Sequence, residues 1–113
     1  MKKPLVAILF LVLMGNMDLS AQKQMQSIII QTSAQCEMCK ETIEKALAYE
    51  KGVVSFELNM ETKKVSLKYK SKKTSPEKIR KALSEIGYDA DDVMANKKAY
   101  SKLPNCCKKP WDR

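Results

Sequence analysis

The sequence predicts an α+β fold: a βαββαβ sandwich in which a four-stranded antiparallel sheet carries two helices on one face. Three observations predict it. Extended runs with apolar residues at alternate positions recur along the chain, two segments repeat apolar residues at helical spacing, and those two segments resemble each other. Residues 41–48 and 77–84 share Glu, Ile, Lys, Ala and Leu at identical offsets, so five of eight positions match across a repeated unit. Two βαβ halves with both helices on one face of an antiparallel sheet make the split, ferredoxin-like arrangement.

The first strand is expected over 27–32, where Ile28, Ile29 and Ile30 favour extended backbone. The first helix follows, with Ile43, Ala46 and Leu47 on one apolar stripe and Gly52 beyond its end. A second strand over 53–59 directs Val54, Phe56 and Leu58 to one face, and a third over 64–69 does the same with Val65, Leu67 and Tyr69. The polar connection 59–63 suits a hairpin. In the second helix Ser75 caps, Pro76 takes the first position, Glu77 faces the positive helix end, and Ile79, Ala82, Leu83 and Ile86 form the stripe that Gly87 terminates. A weak fourth strand is expected over 88–93. The predicted core joins Ile43, Leu47, Ile79, Leu83, Val54, Phe56, Val65 and Leu67.

Composition narrows the chemistry. The 113 residues contain no His, which removes Ser-His-Asp and Cys-His nucleophiles, histidine bases and histidine ligands together. With 21 basic against 13 acidic residues the net charge is +8. The lysines are dispersed and no aromatic-plus-basic motif accompanies them, so the excess reads as a solvated surface and no nucleic-acid partner is expected.

The N-terminus reads as an address. Lys2 and Lys3 precede an apolar run over 5–14, and Leu19-Ser20-Ala21 supplies small residues before Gln22, the order of a secretory signal peptide over 1–21. A run of ten is short for a bilayer span, which takes about 20. The expected product is periplasmic or secreted, without membrane insertion after cleavage. All four Cys lie beyond the leader, in a compartment that permits disulfides.

Cys36-Glu37-Met38-Cys39 lies between the first strand and the first helix, where free helix amides favour thiolates. Two thiolates three positions apart can converge on a soft ion such as Cu(I) or Zn(II), in preference to Mg or Ca. A structural disulfide and a redox dithiol are the competing readings.

With these residues in view the chain resembles the heavy-metal-associated domain family, the small βαββαβ modules of copper chaperones, metal-ATPase N-terminal domains and the periplasmic mercury-binding protein. The carriers are Cys36-Glu37-Met38-Cys39, Ile43-Glu44-Lys45-Ala46-Leu47 at the family's spacing, and Ile86-Gly87-Tyr88-Asp89-Ala90. The resemblance spans 25–93 and departs from the family where Ser33-Ala34-Gln35 replaces the usual Gly-Met-Thr, and where Lys40 takes a site more often small or apolar. It implies a metal-binding module over 22–93 with Cys36 and Cys39 as ligands, and a metal transporter or another metal-binding domain as partner. It also puts Tyr88 beside the Cys loop, as a shield for the ion or as a core or edge aromatic. Met38 is an auxiliary thioether candidate against an exposed or packing Met, and Lys40 a charge-balancing candidate against a surface lysine.

Residues 94–113 continue past the family domain. Residues 95–103 suit about two helical turns, and Trp111 is expected to cap an apolar edge. Adjacent cysteines rarely bond each other without strain, so Cys106 and Cys107 are two ligands, halves of other bridges, or incidental thiols in a disordered tail. The return distance permits them to join or cover the Cys36–Cys39 site.

The expectation is an exported soft-metal carrier, chaperone or scavenger for Cu(I), Hg(II), Zn(II) or a similar ion, and not an enzyme. A periplasmic thiol–disulfide oxidoreductase using the CxxC pair is the alternative, and a protein-binding regulator with inert, oxidised Cys a third reading.

Overall fold

The computed structural model describes residues 24–113. The leader expected over 1–21 lies outside the described residues. No described helix is long and apolar enough to cross a membrane.

Strand β1 (Met25–Gln31) is followed by helix α1 (Glu37–Tyr49), strands β2 (Val53–Asn59) and β3 (Lys64–Lys70), helix α2 (Pro76–Glu85) and a short helix α3 (Lys97–Ser101). Two 3-10 turns, Asn105–Cys107 and Pro110–Asp112, close the chain. The three strands form one antiparallel sheet in the order β1-β3-β2.

The inward row is set by the strand register. Ile28 pairs with Leu67 and Ile30 with Val65 across β1 and β3, while Phe56 pairs with Leu67 and Leu58 with Val65 across β2 and β3. Ile30, Leu58, Val65, Leu67 and Tyr69 join Ile43, Leu47, Ile79 and Leu83 in one buried cluster. The helical stripes read from the sequence are therefore the ones that meet the sheet. Ser75 caps α2 as expected, its hydroxyl accepting the Lys78 N–H at 3.3 Å, with Pro76 at the first position.

Val54 departs from the predicted core, at 46% exposure. Val53 opposes Tyr69 and Ser55 opposes Lys68, so Val54 is the extra residue of a β-bulge. A bulged residue falls out of the alternation, and Val53 and Phe56 take the inward positions instead.

Among the described residues the sheet has three strands, and the fourth expected over 88–93 contributes isolated bridges only, Thr32 with Ala90 and Ala90 with Val93. The cause is local. Ala90 and Val93 bond each other in both directions at 2.9 Å, turning the chain back, and Asp91 stands at φ 54°. Its carboxylate accepts the Gln31 N–H at 2.9 Å and its own N–H donates to Gln31 O, so a side chain replaces the next rung of the ladder.

Candidate metal centre

Helix α1 begins earlier than the sequence pattern suggested. Cys36 is its N-cap and Cys39 lies in its first turn, so the CxxC pair straddles a helix start. Cys39, Ile43 and Leu47 form a single buried stripe, and Cys39 is 0% exposed. That stripe was readable: stepping back four residues from Ile43 gives Cys39. Cys36 is half-buried, and its carbonyl accepts the Cys39 and Lys40 N–H groups.

The C-terminal segment returns to this helix start. Cys39 is disulfide-bonded to Cys107 with their Cα atoms 5.7 Å apart, inside the range a bridge requires. Cys36 Sγ lies 3.4 Å from Cys39 Sγ, 3.5 Å from Cys107 Sγ and 2.8 Å from Cys106 Sγ. Cys106 and Cys107 sulfurs are 4.0 Å apart, and Met38 Sδ is 3.6 Å from Cys106 Sγ. Four cysteines and a thioether thus share one small volume.

Its electrostatics single out Cys36. Burial raises the Cys36 thiol, but the Cys106 thiol, the backbone amides of Cys39 and Met38 and the Arg113 charge together outweigh it, and its pKa falls below the ordinary 9.0. Cys106 moves the opposite way, raised chiefly by the same hydrogen bond to Cys36 and then by burial and the Cys36 charge. The two thiols are thus shifted in opposite directions, Cys36 downward and Cys106 upward, by the contact they share.

Tyr88 is fully buried, and its hydroxyl has no partner at hydrogen-bonding geometry. Burial raises its phenol, Thr42 offsets part of this, and the Cys36 and Cys106 charges add to it. Lys40 offers the site its backbone N–H, at 3.2 Å from Cys36 O, while the cation acting on Cys36 is Arg113. Trp111 caps no apolar edge: it is 77% exposed, with Lys109 Nζ 5.9 Å from its ring centroid.

The seat of the C-terminal segment gave no sequence signal beyond isolated charges and polar residues. Asp89 is its pivot. Its carboxylate accepts the Ala95 N–H at 2.8 Å and pairs with Lys109 Nζ at 2.8 Å, while its own N–H donates to Ser33 Oγ at 2.9 Å. Lys109 N–H donates to Tyr100 Oη, which donates to Asp112 Oδ2 at 2.7 Å. Arg113 then donates to the carbonyls of Asn105, Cys106 and Lys108. Helix α3, of five residues where two turns over 95–103 were expected, is started by Asn96, whose side chain accepts the Ala99 N–H at 3.0 Å.

Gly87 makes this seat possible. It stands at φ 104°, and a Cβ there would lie 3.0 Å from Tyr100 N and 3.1 Å from Ala99 C and O. Both the backbone angle and the approach of α3 exclude a side chain. Gly87→Ala is expected to cost about 1–3 kcal/mol in strain alone and to displace α3. Thermal unfolding reads the first effect, and faster alkylation of Cys106 in the folded protein reads the second.

The Asp89–Lys109 pair gives the seat an acid limit. Burial raises the Asp89 carboxyl, but Lys109 and the Ala95 N–H more than compensate, leaving its pKa below the ordinary 3.8. A depressed folded-state pKa means that the stabilisation is complete above the unfolded value and is lost as pH falls through the lower folded value. Acid unfolding below about pH 4 should therefore flatten in Asp89→Asn, which also loses roughly 1–3 kcal/mol at neutral pH. An unchanged acid limb in that variant would remove Asp89 from the account.

The described residues form a small three-stranded α+β module with four cysteines gathered at a helix start, donors of the type that soft ions prefer. The heavy-metal-associated domain model matches residues 33–89, half of the chain, and the chain belongs to that family. It is 38% identical over 64 residues to the copper chaperone CopZ of Staphylococcus epidermidis, covering 57% of this chain and 94% of the chaperone. It is 32% identical over 97 residues to the probable copper-importing P-type ATPase A of Enterococcus hirae, covering 83% of this chain and 13% of the ATPase. In structure it is similar to oxidised MerP from Ralstonia metallidurans CH34, with a TM-score of 0.57, 26% identity, and coverage of 59% of this chain and 94% of that one.

Proposed function

We propose that this protein is a soft-metal carrier, not an enzyme, in which Cys36 and Cys39 take up Cu(I), Hg(II), Zn(II) or a similar ion as cargo. The observation that carries the reading is the Cys36–Cys39 sulfur pair, 3.4 Å apart at the start of α1, with Cys36 held toward its thiolate. The family match and the copper chaperone relative support it. Residues 1–21 act as an export leader, residues 22–93 as the metal module and residues 94–113 as its extension, which gives a periplasmic or secreted carrier.

Transfer proceeds by ligand exchange. Cys36, half-buried at the helix cap, is open to an incoming thiolate, whereas Cys39 is anchored in the core stripe. A partner thiolate binds the ion as Cys36 leaves, and a second exchange frees Cys39. The partner is a metal transporter or another metal-binding domain, a reading that the ATPase relative supports. Tyr88 closes the inner side of the site, and Met38 lies close enough to add a thioether for a copper-type ion.

Competitive titration of the reduced protein with Cu(I), Hg(II) and Zn(II), followed by mass spectrometry without denaturation, tests the reading. One tightly bound soft ion per chain is the expected result. A reduced protein that binds none of them but turns over disulfide substrates would establish the oxidoreductase alternative.

A further inference from the structure

We propose that Cys106 and Cys107 are themselves metal ligands, completing with Cys36 and Cys39 a four-thiolate tetrahedral site that selects a divalent ion, Zn(II) or Cd(II), over a two-coordinate one. The inference rests on the carrier reading and adds to it the class of ion and the task of residues 94–113.

Sulfur spacing is the first argument. Four thiolates around an ion with metal–sulfur bonds of about 2.3 Å stand about 3.8 Å from one another, whereas two thiolates on opposite sides of such an ion stand about 4.6 Å apart. The Cys36–Cys39, Cys36–Cys107 and Cys106–Cys107 distances of 3.4, 3.5 and 4.0 Å fall near the tetrahedral edge, while Cys36–Cys106 at 2.8 Å and the bonded Cys39–Cys107 pair open to it on reduction and binding. Cys36 and Cys39 at 3.4 Å are too close to face each other across a linear ion. The sulfurs of Cys36, Cys106 and Cys107 all lie within 4.8 Å of one another, and Cys39 is bonded to the last of them.

The second argument is that the chain holds the tail there by contacts independent of sulfur. Gly87 admits α3, Asp89 grips Ala95 and Lys109, and Arg113 ties down the carbonyls around Cys106. None of these contacts involves a sulfur atom, so they hold the tail thiols at the helix start after the bridge is reduced as well as before.

The oxidised and metal-bound states then exclude each other. A dithiol reductant cleaves the Cys39–Cys107 bond, giving up two electrons and two protons to form two thiols and becoming a disulfide itself. The four thiols release their protons as they bind the ion. Cys106, half-buried like Cys36, is a second ligand open to an incoming partner thiolate, so the tail both fixes the ion's geometry and takes part in its release.

The test uses the full chain reduced with a phosphine, which removes the disulfide without supplying a competing thiol. Co(II) serves as the spectroscopic probe, since its sulfur-to-metal charge-transfer intensity counts thiolate ligands and its visible bands report tetrahedral geometry. Cys106→Ser with Cys107→Ser should halve the charge-transfer intensity and lower Zn(II) affinity by about 10⁴-fold, at roughly two decades per thiolate. Because Cys107 is buried, Cys106→Ser alone is the second variant, expected to lose a quarter of the intensity with the fold intact. Unchanged intensity and Zn(II) affinity in both variants, with binding still abolished by Cys36→Ser plus Cys39→Ser, overturn the tail ligands and leave the carrier reading standing. If the Cys36 and Cys39 variants also bind normally, both fall.

Discussion

Replacing Cys36 and Cys39 together by Ser is expected to lower soft-metal affinity of the reduced protein by about 10⁴-fold, since thiolate sites of this kind bind with about 10–16 kcal/mol shared among four ligands. A serine hydroxyl stays protonated and is a hard donor, so it replaces neither the charge nor the softness of a thiolate. The two single variants should separate binding from folding. Cys36 caps α1 without making a side-chain cap hydrogen bond, and Ser is a favoured residue at that position. Cys36→Ser should thus lose metal while holding or gaining stability. Cys39 is 0% exposed and bonded to Cys107 in the oxidised protein. Cys39→Ser buries a hydroxyl in an apolar stripe at a cost of about 1–3 kcal/mol and removes the bridge as well. Competitive titration and denaturant unfolding of the three variants measure both effects. Undiminished affinity in the double variant would falsify the carrier reading.

Much of the fold was legible because periodicity records burial. Val65, Leu67 and Tyr69 alternate in the sequence and are buried on one face of β3, and Ile43, Leu47, Ile79 and Leu83 repeat at helical spacing and meet the sheet. What escaped depends on single backbone events. The bulge that expels Val54 leaves no mark in a run of apolar residues, and the Ala90–Val93 turn that ends the fourth strand is set by Asp91 at φ 54°. The candidate site divides in the same way. Cys36 and Cys39 are visible as a local spacing, because both sit on one helix start. The approach of Cys106 and Cys107 follows from Gly87, Asp89, Lys109 and Arg113, whose meeting depends on contacts across the whole module. Separated charges carry no pairing information until the fold brings them together.

Leu47→Ala and Leu83→Ala should each cost about 2–5 kcal/mol, a large share of the roughly 5–15 kcal/mol that a small domain has in total. Leu47 is 1% exposed and Leu83 0%, and both belong to the cluster that joins the helices to Leu58, Val65 and Leu67. Truncation removes the apolar contact and leaves a cavity that close-packed neighbours cannot fill. Val54→Ala is the matched control. Its side chain is 46% exposed on the bulge, so its loss should change stability by less than about 0.5 kcal/mol although Val54 lies in the same apolar run as Phe56 and Leu58. Denaturant midpoints measured at fixed redox state read all three. The contrast bears on the site, because Leu47 continues the stripe that begins at Cys39, so the packing that seats Leu47 also fixes the helix that aims that sulfur. A cost below about 0.5 kcal/mol at both leucines would reverse the assignment of the helix faces and with it the orientation of Cys39, whereas a large cost at Val54 would overturn only the bulge in β2.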